Sequence, residues 1–140
     1  KLSVWFGKTQ ALKSVTLNIE KNQILSIIGP ANSGKTTFLR MLNRLNELEP
    51  KFSYKGEVFV DNQNLEDIGI NILRKRVGMV FALPIPLPLS VFDNIIYGAK
   101  TYGVKNRKEQ SALVEGCLKK AYLWDEVKDR LHTSAFNLSG

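Results

Sequence analysis

Hydrophobic and polar positions change their spacing several times along this chain, and each change marks a predicted element. Residues 23–28, Gln-Ile-Leu-Ser-Ile-Ile, form a β-branched apolar run that stops at Gly29. Such a run predicts a buried parallel strand. Over residues 36–45 the spacing becomes helical, with Phe38, Leu39, Leu42 and Leu45 on one face. Upstream, residues 2–6 predict a short strand with Val4 and Phe6 on the same side, and residues 7–10 a turn. Residues 12–19 alternate, with Val15, Leu17 and Ile19 facing one way and Ser14, Thr16 and Asn18 the other. That pattern predicts a half-buried antiparallel strand.

Downstream, Pro50 marks the end of the helical region, residues 56–60 predict a strand and residues 61–64 a polar turn. One or two helical turns follow at 70–74, and a second buried strand at 77–81. Residues 83–89 carry Pro84, Pro86 and Pro88, so alternate residues lack an N–H and only an extended loop is possible. The proline spacing does not suit a PxxP ligand. Ser90 with Asp93 reads as a capping box opening a helix through Tyr97. Asn106 with Glu109 reads as a second cap, before a helix over 107–122. After Trp124 the sequence is polar and irregular.

Composition adds bounds rather than identity. A chain of 140 residues, 44% hydrophobic and 24% charged, suits one soluble domain. The net charge of +7 raises the question of nucleic acid. The charge is dispersed, however, over Arg74-Lys75-Arg76, residues 105–108 and Lys119-Lys120, and no nucleic-acid-binding signature accompanies it. Solvated faces attracted to an anionic nucleotide or membrane surface are the better reading. Cys117 is the only cysteine, expected on an apolar helical face with Leu113, Val114 and Ala121. That suits a packing role in a reducing compartment, with no disulfide or zinc site. No apolar run approaches the length of a membrane span, and no signal peptide is expected.

The candidate chemistry lies between the first apolar run and the first helix. Gly29, Pro30, Ala31, Asn32, Ser33, Gly34, Lys35, Thr36 and Thr37 fit the phosphate-loop pattern G-x-x-x-x-G-K-[ST] at every fixed position. Glycines at both ends let backbone wrap an anion without Cβ clashes, and the loop N–H groups can point inward. The following helix adds the positive end of its dipole. Lys35 supplies a point charge for β- and γ-phosphates, and Thr36 a hydroxyl for Mg²⁺. A nucleoside triphosphate with magnesium is the expected ligand. The alternative is a glycine-containing turn without one.

Together these pieces resemble the ATP-binding subunit of ABC transporters. Phe6 before Gly7 looks like the aromatic residue that stacks on adenine; a core strand position is the alternative. Residues 77–82 look like the strand running into the Q-loop, and Leu138-Ser139-Gly140 like the start of the LSGGQ signature. Within the family the closest resemblance is to the phosphate-import branch. It rests on residues 40–48, on Pro84, Pro86 and Pro88, and on Ser90-Val91-Phe92-Asp93-Asn94-Ile95-Ile96-Tyr97-Gly98.

The resemblance implies an α/β fold: part of a P-loop NTPase, RecA-like sheet with an antiparallel β-subdomain, over residues 1–82. A helical subdomain follows over about 83–140, up to the signature start, so the domain is expected to be truncated. It implies ATP and Mg²⁺ as ligands and transmembrane permease subunits as partners. It also implies a homodimer, a solute-binding protein acting indirectly, no nucleic acid, and a peripheral place on the cytoplasmic face of a bacterial or archaeal membrane. Ser139 and Gly140 would reach the partner subunit's ATP. Two departures stand out. Ala82 occupies the Q-loop glutamine position. The Walker B aspartate, its glutamate, the D-loop and the switch histidine would fall after Gly140, and His132 is instead a surface or packing residue. These residues alone are therefore expected to bind ATP without turning it over. A regulatory module without turnover and an unrelated P-loop kinase or GTPase are the rival readings. The signature start and proline ladder argue against the latter.

Overall fold

The computed structural model describes residues 1–83 and 85–138. Pro84, Ser139 and Gly140, singled out above, lie outside the described residues. The chain divides into two compact units, Lys1–Val80 and Phe81–Gly140.

The first unit is built on β1 (Leu2–Phe6) and β2 (Thr9–Val15), joined by a tight turn. The helix α1 (Lys35–Met41) follows, then β3 (Phe52–Lys55), β4 (Phe59–Val60), β5 (Gln63–Asn64) and α2 (Ile70–Arg76). The order β2-β1-β3 is antiparallel throughout, with Val4 opposite both Leu12 and Tyr54, and Phe6 opposite Phe52. β4 and β5 form a separate hairpin. Alternation on β1 turns Leu2 and Val4 inward, where they pack with Leu12, Met41 and Phe38. Leu65, Ile68 and Leu73 form a second small core under α2.

Several expected elements differ. β2 stops at Val15, next to Ser14 at φ 49°, and Leu17 and Ile19 are exposed. Residues 23–28 and 77–81 form no strand, and Ile24 and Val80 are each 97% exposed. A buried parallel strand needs ladder partners on its flanks. Among the described residues every pairing is antiparallel and none reaches these runs. Of the strand expected over 56–60 only Phe59 and Val60 form one, as β4, while β3 ends before it at Lys55. The helix expected over 36–45 ends at Met41. Arg44 turns left-handed at φ 57°, and Arg74 donates to the carbonyls of Asn43 and Arg44 at 3.3 and 3.2 Å. Leu39, placed on the inward face by the pattern, is exposed, while Met41 is buried.

The second unit carries α3 (Val91–Thr101), α4 (Arg107–Lys120) and the short α5 (Trp124–Val127). Both caps form as the sequence implies. Ser90 Oγ accepts the Asp93 N–H at 3.0 Å, and Asn106 Oδ1 accepts from Lys108 and Glu109 at 2.9 and 3.3 Å. α3 runs four residues past Tyr97, because Gly98 is tolerated inside the helix and Gly103, at φ 96°, turns the chain after it. α4 ends at Lys120, two residues before the expected Tyr122, which is itself left-handed at φ 59°. Phe92, Ile96, Val114, Leu118 and Val127 make the core between these helices. Cys117 is exposed, so the packing role expected for it is not found; Val114 and Leu118 take the inward positions. His132 is exposed beside the Phe92 ring, 5.7 Å between centroids. Residues 85–89 are neither helix nor strand, as alternate prolines require. Among the described residues no helix is long and apolar enough to cross a membrane.

The α3 cap carries a pH signature. Asp93 accepts from Lys100 Nζ at 2.7 Å and from the Ser90 hydroxyl at 2.7 Å, and these contacts hold its carboxyl below the ordinary aspartate value. A lowered native pKa stabilises the fold above the unfolded-chain value, and that stability is lost as pH falls through the native one. Because the pair is partly exposed, the contribution should be about 0.2–1 kcal/mol. Asp93→Asn should flatten the acid limb of a stability-versus-pH curve from urea unfolding. An unchanged acid limb would show that the carboxylate contributes nothing.

Candidate functional site

The loop at residues 29–37 is held by backbone geometry. Gly34 adopts φ 87°, a left-handed conformation that side chains rarely accept. A Cβ there would lie 2.6 Å from the Ala11 carbonyl oxygen and 2.7 Å from Leu12 Cδ2. The loop therefore rests directly on β2, and only glycine permits that approach. Asn32 is also left-handed, at φ 61°, a conformation asparagine tolerates. The two turns bring the chain around so that α1 begins at Lys35.

Lys35 folds back over the loop. Its Nζ donates to the carbonyls of Gly29 and Pro30 at 2.9 and 2.5 Å, and to Ser33 Oγ at 3.3 Å. The ammonium thus braces one end of the loop against the other. Carbonyl oxygens hold it only as dipoles, so an anion entering the loop would compete for the same proton donors with full charge. Gly34 caps α1 without a side-chain bond, and the first-turn amides of a helix have no intrahelical acceptor. Those amides, the Lys35 ammonium and the hydroxyls of Ser33 and Thr36 are the donor set an oligophosphate requires.

Phe6 stands beside this set. A cavity of about 270 Å³ is lined by Phe6, Ala11, Asn32, Ser33, Gly34, Lys35, Thr36 and Thr37. Phe6 is also half-buried, packed on the first core and tilted against Phe52 at 5.9 Å between ring centroids. It serves the core and the cavity together, so the two readings of this residue are not exclusive. A hollow of about 410 Å³ shares Phe6, Thr36 and Thr37 and adds Arg40, Asn46, Glu49 and Pro50. No periodic signal in the sequence marks this wall. Arg40 pairs with Glu49 at 2.8 Å, and buried Asn46 donates to the Thr37 carbonyl at 2.8 Å. The residues of this wall come from a stretch of mixed character, in which Asn43 and Asn46 stand among Arg40, Arg44, Glu47 and Glu49.

A carboxylate metal centre is not present: among the described residues no group of three or more His, Cys, Asp or Glu could hold an ion. Of this set Thr36 is the residue whose hydroxyl would hold magnesium, brought in with the phosphates. Ala82 is exposed in the second unit and offers no polar atom beyond its backbone. Ser139 and Gly140 lie outside the described residues.

Two further contacts lie beyond the end of α1. Arg44 pairs with Glu47 at 2.6 Å, and the Tyr54 hydroxyl donates to Glu66. Burial, and then the bond to Glu66, push the Tyr54 phenol up to about 12.

The sequence matches the family model described as "ABC transporter" over residues 12–140. It is 45% identical over 141 aligned residues to a protein of Streptococcus pneumoniae serotype 4 named "Phosphate import ATP-binding protein PstB 3", covering 99% of this chain and 56% of that one. It is 44% identical to "Phosphate import ATP-binding protein PstB" of Desulfitobacterium hafniense, covering 99% of this chain and 54% of that one. The chain thus spans about half the length of the curated relatives it matches.

The shared cavity separates the two duties of Phe6. Phe6→Ala should weaken binding of ATP more than binding of inorganic triphosphate, because only the former offers a ring to stack on, a contribution of about 1–3 kcal/mol. Calorimetric titration of both ligands checks this. Equal weakening would leave Phe6 with the core role alone.

Proposed function

The chain belongs to the ABC transporter family, and from that premise we propose that it is the ATP-binding part of an importer subunit whose solute is inorganic phosphate. The observation that carries this reading is the cavity in which Lys35, Thr36 and the turn at Gly34 meet Phe6. The names of the relatives support phosphate as the solute. The subdomain assignment made above, 1–82 and about 83–140, belongs to the same proposal.

In this reading the amides of residues 29–37 and the Lys35 ammonium hold the β- and γ-phosphates. Lys35 must first leave the carbonyls of Gly29 and Pro30. Thr36 would offer its hydroxyl to Mg²⁺, an ion that would supply charge neutralisation at the phosphates, and Phe6 would stack on the adenine. In the whole protein two subunits would enclose two ATP molecules, each also touched by Ser139 and Gly140 of the opposing copy. Hydrolysis is attack of water on the γ-phosphate, driven by positioning and charge stabilisation. The subunit would sit on the cytoplasmic face of the membrane, bound to permease subunits and served indirectly by a solute-binding protein. The loop at residues 84–90, with Ile85, Leu87 and Leu89 exposed, would lie near the docking groove for a permease helix.

Ala82 favours one refinement. A methyl group cannot orient water or reach magnesium, so these 140 residues by themselves would bind ATP without turning it over. A nucleotide-binding module without turnover in the whole protein is the second reading, and it rests on the same residue.

Lys35→Ala separates these statements. A hydrogen bond to a charged group contributes about 1.5–3 kcal/mol, so affinity for Mg-ATP should fall roughly tenfold or more. Equal calorimetric affinity of the two proteins would remove Lys35 from the phosphate site. Phosphate release by the 140-residue chain should match that of the Lys35→Ala control. A clear excess, with contaminating ATPase excluded, would show that the site is catalytically sufficient.

A further inference from the structure

Asn94 stands in the first turn of α3, and its side chain turns back onto the loop that precedes the helix. Its Oδ1 accepts the Leu87 N–H at 2.8 Å. Its Nδ2 donates towards the carbonyls of Leu87, Leu89 and Ser90 at 3.2, 3.2 and 2.9 Å. The prolines explain why one side chain carries so much. Pro86 and Pro88 have no N–H, and the Leu89 N–H is taken by the Leu87 carbonyl at 2.7 Å, so the loop cannot brace itself through a ladder. Yet the loop presents apolar side chains to solvent: Ile85 is 82%, Leu87 40% and Leu89 37% exposed.

The Leu89 carbonyl has a second donor. It accepts the Ala135 N–H at 3.0 Å as well as Asn94 Nδ2. Beside it, the Val91 and Phe92 N–H groups donate to the carbonyls of Thr133 and Leu131 at 3.0 and 2.8 Å, and Ser90 bridges to Ser134. From Ala135 one helical turn leads to Leu138, whose N–H returns to the Ala135 carbonyl at 3.3 Å. Asn94 therefore clamps the exposed loop at the same atom through which the loop holds the segment entering Leu138.

We infer that Asn94 is a positioning residue that makes the loop at 85–90 and the segment at 131–138 move as one body. Displacement of the loop by a partner is delivered through the Leu89 carbonyl to the residues that lead into Ser139. The inference rests on the proposed function, in which a permease helix meets the loop and Ser139 contacts nucleotide. Without Asn94 the loop can yield to the partner while the segment stays behind.

The test uses the full-length protein assembled with its membrane subunits in proteoliposomes, with ATP inside and the solute-binding protein and inorganic phosphate, the probe solute, outside. Asn94→Ala should lower solute uptake and solute-stimulated ATP hydrolysis by about five- to tenfold, with the KM for ATP unchanged within about twofold. Ala135→Pro, which removes the other donor to Leu89, should give the same split. Wild-type uptake in Asn94→Ala would overturn the inference. So would a parallel loss of ATP binding and uptake, because that pattern belongs to a merely structural residue. Amide exchange at Val91, Phe92 and Ala135 supplies an independent reading of the clamp: faster exchange in Asn94→Ala supports it, and unchanged exchange overturns it. If the wild-type assembly shows no ATP-driven uptake, the proposed function fails, and exchange at these amides alone decides whether Asn94 links loop to segment.

Discussion

The close approach of Gly34 to the Ala11 carbonyl is the constraint on which the first unit depends. It fixes where α1 starts, because the left-handed residue immediately precedes Lys35. It fixes where the loop lies, because loop and β2 touch with no side chain between them. From that start α1 reaches Met41 in seven residues and buries it with Leu2, Val4 and Leu12. The antiparallel pairing of β1 with β2 then brings Phe6 to the cavity of Lys35 and Thr36. Core and candidate site are thus one construction. Any side chain at residue 34 meets backbone, which cannot yield as the end of a flexible side chain can.

The second unit answers a different problem, the shortage of backbone donors in a proline-rich loop. Ordinary loops hydrogen-bond to themselves or to water. Here Asn94 and the amides of Val91, Phe92 and Ala135 supply the order that the loop cannot make. The apolar side chains then stay outside while the backbone is held. The core of Phe92, Ile96, Val114 and Leu118 lies beneath the same helix that carries the clamp, so α3 joins packing to loop control.

Local signals were the legible part. Both helix caps, the turn after β1, the described part of the proline loop and the turn at Gly34 depend on residues a few positions apart, and each forms where the sequence puts it. What depends on distant partners was not legible. The runs at 23–28 and 77–81 announce only that they are apolar; whether they pair is decided by other strands, and among the described residues none does so. α1 ends at Met41, and the chain past it is held by Arg74, some thirty residues away, which takes the carbonyls of Asn43 and Arg44. Asn94 carries no periodic signal at all, since its role exists only once the loop has folded back on α3. At the site, the motif revealed the donors but not the folded-back Lys35 or the wall of Arg40, Asn46 and Glu49.

The proposed function makes the backbone of residues 29–37 a receptor for the phosphates of a nucleotide. Amide resonances read that backbone directly. Addition of Mg-ATP to the ¹⁵N-labelled chain should produce its largest shift changes at Gly34, Lys35, Thr36 and Thr37, with the Lys35 side-chain ammonium leaving its contacts on Gly29 and Pro30. Inorganic triphosphate should reproduce the same set without the change near Phe6. Shift changes confined to other surfaces, with residues 29–37 unmoved at saturating nucleotide, would show that this backbone is not the phosphate receptor.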